Sequence, residues 1–95
     1  MVVGGGQFVL YFPGVHSLKE KRRILKSIID RARNSFNISI SEIDSTEQWQ
    51  KAVLGITLVA GRKTQVEKIM DSICRWMDNH VKGEILDCQL FLEIF

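Results

Sequence analysis

Apolar positions along the chain fall into six blocks whose period alternates between two and about 3.6. Residues 9–12 are strongly apolar, follow a glycine triplet and stop at the turn pair Pro13-Gly14; they predict a first strand whose start is frayed or bulged by Gly4, Gly5 and Gly6. Ser17 then opens a helix, with Glu20 three residues on, placed to return a hydrogen bond to the Ser17 backbone as a capping box. Leu18, Leu25, Ile28, Ile29, Ala32 and Phe36 supply its apolar face. Residues 37–43 alternate, Ile38 and Ile40 against Ser39 and Ser41, as a half-buried strand does. After a turn-rich stretch at 44–47, residues 50–60 form a longer strand with Ala52, Leu54, Ile56, Leu58 and Ala60 on one face. A second helix runs from 62 or 64 to 79, striped by Val66, Ile69, Met70, Ile73 and Met77, and ends at Lys82-Gly83. In the last strand, 84–95, Leu86, Cys88, Leu90, Leu92 and Ile94 alternate with Asp87, Gln89 and Glu93.

The order βαββαβ predicts an α+β, ferredoxin-like two-layer sandwich: a four-stranded antiparallel sheet with both helices on one face. Right-handed crossovers put the first and third strands at its centre. Ninety-five residues hold one such domain, 1–95, with no linker or repeat. The apolar run 52–60 is broken by Gly55 and Thr57 and is far short of the roughly 20 residues a membrane-spanning helix needs. The start, MVVGGGQ, carries no secretory signature, and two cysteines without metal spacing read as small buried hydrophobes; the cytosol is the expected compartment.

Charge adds one feature that periodicity does not. Residues 17–36 carry seven basic side chains against Glu20 and Asp30, a net +5, which leaves −3 for the rest of a chain that totals +2. Lys19, Arg23, Lys26 and Arg33 fall opposite the apolar stripe, so the wet face of the first helix is basic and is the expected contact for RNA phosphates. Lys21 and Arg22 lie nearer the apolar stripe and are placed to pair with Glu42 or Asp44 instead. A solvated face with no partner is the competing account of such a helix.

Three segments taken together, SLKEKRRILKSII (17–29), FNISISEID (36–44) and WQKA (49–52), resemble the YlxP-like family of small bacterial proteins, domain of unknown function 503. The resemblance covers essentially the whole chain. It implies a ferredoxin-like fold and a genomic association with translation and ribosome-maturation genes, and it brings no catalytic residues with it. The function expected on these grounds is a non-enzymatic accessory factor that meets ribosomal RNA or a ribosomal subunit through Lys19, Arg23, Lys26 and Arg33, without a cofactor or metal. The alternative is a homodimeric interaction module built on the open sheet face, with Val9, Tyr11 and Phe91 at the interface.

Other chemistry is weaker. Tyr11 is the one aromatic expected on the outward face of the central strands, so base stacking there is not favoured. Gly61-Arg62-Lys63-Thr64 lacks the spacing of a phosphate loop. Glu42, Asp44 and Glu47 gather near a turn beside Trp49 but without a histidine, which suits solvated acids better than a metal or an acid–base pair. His16 and His80 stand apart, and Trp49 and Trp76 read as core-edge packing. An acylphosphatase, of similar size and fold, needs an arginine in the loop after the first strand; Pro13-Gly14-Val15-His16-Ser17 has none.

Overall fold

The structure, a computed structural model, describes residues 1–44 and 48–95. Its elements are β1 (Val2–Tyr11), α1 (Leu18–Ser35), β2 (Ser39–Asp44), β3 (Lys51–Ala60), α2 (Lys63–His80) and β4 (Glu84–Ile94). The sheet is antiparallel throughout in the order β2-β3-β1-β4, with both helices against one face. This is the expected ferredoxin-like α+β sandwich.

Alternation along β1 builds the core. Val2, Phe8 and Leu10 face the helices and meet Leu25, Ile28 and Ala32 of α1 and Val66, Met70, Ile73 and Met77 of α2. Ala52, Leu54, Ile56 and Leu58 of β3 add the next row. The odd positions of β1 look out of the open face.

One expected boundary is wrong by seven residues. β1 begins at Val2, not residue 9, and the glycine triplet runs through its paired interior rather than fraying it. No glycine here has positive φ, so space is the reason for them. A Cβ on Gly4 would collide with Val66 and sit 2.7 Å from the Met70 sulfur, so α2 rests directly on the strand backbone there. A Cβ on Gly5 would lie 2.6 Å from both the Ile56 carbonyl oxygen and the Phe91 ring, which covers the glycine from the neighbouring strand.

Ser17 caps α1 by accepting the Glu20 N–H at 3.1 Å. The Glu20 carboxylate reaches back at 3.3 Å to accept from the N–H of His16, one residue before the expected Ser17. In β4 a register shift opposite Val9 and Leu10 brings Ile85, half-buried, to the core side and leaves Leu86 54% exposed. The expected alternation therefore holds from Asp87 onward only.

Candidate nucleic-acid interface and open sheet face

Lys19, Arg22, Arg23, Lys26, Asp30 and Arg33 lie within an arc of about 100° on α1, set by the helical repeat. The apolar stripe turns that arc to solvent, and all of its basic residues are exposed. The two halves of the stripe differ. Lys26 is paired to Asp30 at 2.7 Å, and Arg33 donates through Nη2 to the Ile40 carbonyl at 3.0 Å, bracing α1 against the edge strand β2. Lys19, Arg22 and Arg23 make no ion pair or side-chain hydrogen bond among the described residues. Three open cations thus gather at the N-terminal end of one helix.

Arg22 belongs to this patch rather than to the acids of β2, where the sequence had pointed it. The spacing 19, 22, 26 already carried that signal. Lys21 does turn inward: it is 3% exposed, donates to the Gln48 carbonyl at 2.9 Å and lies 3.8 Å from Glu42 Oε2. Its methylenes fill the core edge while the ammonium ties the helix to the far end of the β2–β3 hairpin.

On the open face, Val9 and Tyr11 are half-buried and Phe91 is 46% exposed. Phe91 and Ile43 lean over Gly5 and Gly55 from the two edge strands. Between them runs a shallow trough of about 450 Å³, its middle lined by Gln7, Gln89, Ser39, Ser41 and Thr57. The centre of this face is thus polar and uncharged. A second depression, about 560 Å³, lies at the end of the sheet among Tyr11, Trp49, Lys51 and Leu86. Trp49, expected at the core edge, is 50% exposed here. Trp76 does pack at the core edge, edge-to-face with Phe36 at 6.3 Å and stacked on His80 at 4.5 Å.

Two of the three acids weighed for metal or acid–base work are described. Glu42 faces Lys21, Asp44 is exposed, and Glu47 lies outside the described residues. No group of three metal-ligating side chains occurs among the described residues. The cysteines depart from expectation. Cys88 is exposed and Cys74 half-buried, and the two thiols are neighbours between β4 and α2. Burial first, then the neighbouring Cys74, pushes the Cys88 thiol up to about 11, the reverse of what a nucleophile needs. No helix among the described residues is long and apolar enough to cross a membrane.

Comparison with known proteins extends the sequence evidence. Residues 3–90 match the family described as Protein of unknown function (DUF503). The chain is also 41% identical over 71 residues to "Uncharacterized protein YlxP" of Bacillus subtilis (strain 168), a match covering 75% of each chain. The family match, residues 3–90, takes in α1, β2, β3 and α2 whole. On this evidence the chain belongs to the YlxP-like DUF503 family.

Proposed function

We propose that this protein is a non-enzymatic accessory factor linked to translation or ribosome maturation, which holds structured RNA through the N-terminal half of α1. The observation that carries the reading is the cluster of Lys19, Arg22 and Arg23, exposed and without intramolecular partners among the described residues. Lys26 joins it by exchanging Asp30 for a phosphate, an exposed pair worth well under ~1 kcal/mol to break. The contact is electrostatic and reads no base sequence. The link to translation is part of the proposal and rests on the genomic association that the resemblance implies.

Cosedimentation with ribosomal subunits across a salt series tests this. Three or four phosphate contacts give a log–log salt slope of roughly −2 to −4. The double variant Arg23→Glu/Lys26→Glu should abolish association at all but the lowest salt. Association unchanged in that variant rejects the reading.

A second reading, a dimer through the open sheet face, is favoured by Phe91 and by the depression holding Tyr11 and Trp49. Sedimentation velocity on Tyr11→Ala and Phe91→Ala decides it: loss of a dimer supports the sheet face, and a monomeric parent protein removes it.

A further inference from the structure

The two edges of the sheet are treated differently by the sequence. β2 is short, six residues, is kinked by a bulge between Glu42 and Asp44, and has the Ile40 carbonyl occupied by Arg33. These are the usual guards of a sheet edge. β4 is eleven residues long, and every residue in it except Ile85 and Leu92 is exposed. Its exposed side chains include Leu86, Leu90, Phe91 and Ile94, with Phe95 following. Leu90 and Ile94 stand on the helix side of the edge and Phe91 on the open side, so a strand laid along β4 meets apolar side chains on both faces.

Hydrogen-bond parity fixes which groups of β4 are vacant. Met1 and Phe95 exchange both bonds, Phe95 N–H to the Met1 carbonyl at 2.7 Å and the Met1 amine to the Phe95 carbonyl at 3.1 Å. The register is unbroken from Val2↔Ile94 to Val9↔Asp87. Bonded and unbonded pairs alternate in an antiparallel ladder, so Glu93, Phe91 and Gln89 bond to β1, while Ile94, Leu92, Leu90 and Cys88 point their N–H and C=O groups outward. The Asp87 carboxylate accepts the outward Cys88 N–H at 2.9 Å. The stretch from Leu90 to Ile94 is an open template.

Charge selects what fits it. β4 carries Glu84, Asp87 and Glu93 and no basic residue. Glu67, Asp71 and Asp78 share the arc of α2 with Cys74, which neighbours Cys88 of β4; Lys63 lies on the same arc, and Arg75 pairs with Asp71 at 3.4 Å, so the acids outnumber the cations without standing alone. In a protein of net charge +2, the β4 strand itself is thus acidic, with Glu84, Asp87 and Glu93 unopposed by any base within it. A second copy pairing β4 on β4 would set these acids against their equals, which opposes self-association.

We propose that β4 is a docking edge for an extended segment of another protein that alternates apolar with Lys or Arg residues, added as a fifth strand. The partner's backbone bonds Leu90, Leu92 and Ile94; its apolar side chains cover Leu90 and Ile94 on the helix side; its cations meet Asp87 and Glu93 on the open side. This surface is separate from the RNA stripe and stands or falls independently of it.

The test is titration of the intact chain with capped nine-residue peptides, one alternating valine and lysine, the other carrying glutamate for each lysine, followed by amide exchange in NMR. The lysine peptide should bind at least about tenfold more tightly than the glutamate peptide. On binding it, exchange at Leu90, Leu92 and Ile94 should slow by about tenfold or more, while Phe91 and Glu93, already bonded to β1, change little. Leu90→Pro removes an outward N–H but no ladder bond, and should abolish binding with the sheet intact. Should that variant unfold, Asp87→Lys/Glu93→Lys serves instead and should reverse the peptide preference. Arg23→Glu should leave peptide binding unchanged. Equal binding of both peptides, no binding of the lysine peptide, or a dimer that already protects the even-numbered amides without peptide overturns the proposal.

Discussion

Gly4 is where a single missing atom sets the spacing between layers. Because α2 lies on the backbone of β1 there, alanine would have to displace Val66 and Met70, both in the core. Gly4→Ala should cost about 1–3 kcal/mol by overpacking, lowering Tm by roughly 5–20 °C in a domain this small; a thermal melt within a degree or two of the parent would contradict the packing. Strand periodicity could not have revealed this, since the side chains that demand a glycine at position 4 are some sixty positions further along. For the same reason the triplet reads locally as a strand breaker. Cys88 offers a second check. Its thiol ionises near 11 in the folded chain against an ordinary value of 9.0, so between these pH values the folded state holds a proton the unfolded state has released. Stability is thus favoured below pH 9 and falls as pH rises toward 11. Replacing Cys88 by serine should flatten that part of the pH–stability curve, and an unchanged curve would place the dependence elsewhere.

At the scale of elements, α1 combines a structural and a recognition role on adjacent residues. Lys21 anchors the helix to the hairpin, whereas Lys19, two positions earlier, is exposed and makes no ion pair or side-chain hydrogen bond among the described residues. Lys21→Ala should destabilise by about 2 kcal/mol, since it empties a filled site and leaves Glu42 without its counter-charge, while Lys19→Ala should stay within ~0.5 kcal/mol. Urea titration distinguishes these outcomes; equal effects would mean that burial does not separate the two lysines. The helices and the pairing order were legible because a capped amphipathic period and an alternating period are local signals. Two features were not. The bulge that exchanges Ile85 for Leu86 depends on how β4 fits β1, and the freedom of Arg22 depends on Lys21 having taken the place beside Glu42. The exposed basic stripe was therefore readable to within one residue, and that β4 lies at an edge followed from the strand order; which of its groups point outward was not readable, because that depends on the register against β1.

Seen as a whole molecule, the protein is polarised. The basic stripe of α1 lies toward the β2 side, which Arg33 braces, and the acidic apolar edge of β4 lies at the opposite end of the sheet. Two surfaces of opposite charge so placed can be occupied at once, so an RNA and a basic protein segment need not compete.

The paired chain ends have a kinetic consequence. Met1 and Phe95 meet across 94 positions of sequence, so the β1–β4 ladder closes the longest loop in the chain. By the logarithmic rule that closure costs about 4 kcal/mol, against about 1 for a four-residue turn. β4 should therefore dock late in folding, after α1 and the β2–β3 hairpin have formed from nearer contacts. Joining Phe95 to Met1 through a short glycine-containing turn, and opening the chain at Gly61, would turn this last ladder into a hairpin. The permuted protein should refold faster by stopped-flow fluorescence while unfolding at much the same rate; refolding no faster than the parent would show that closing the ends is not what limits the search.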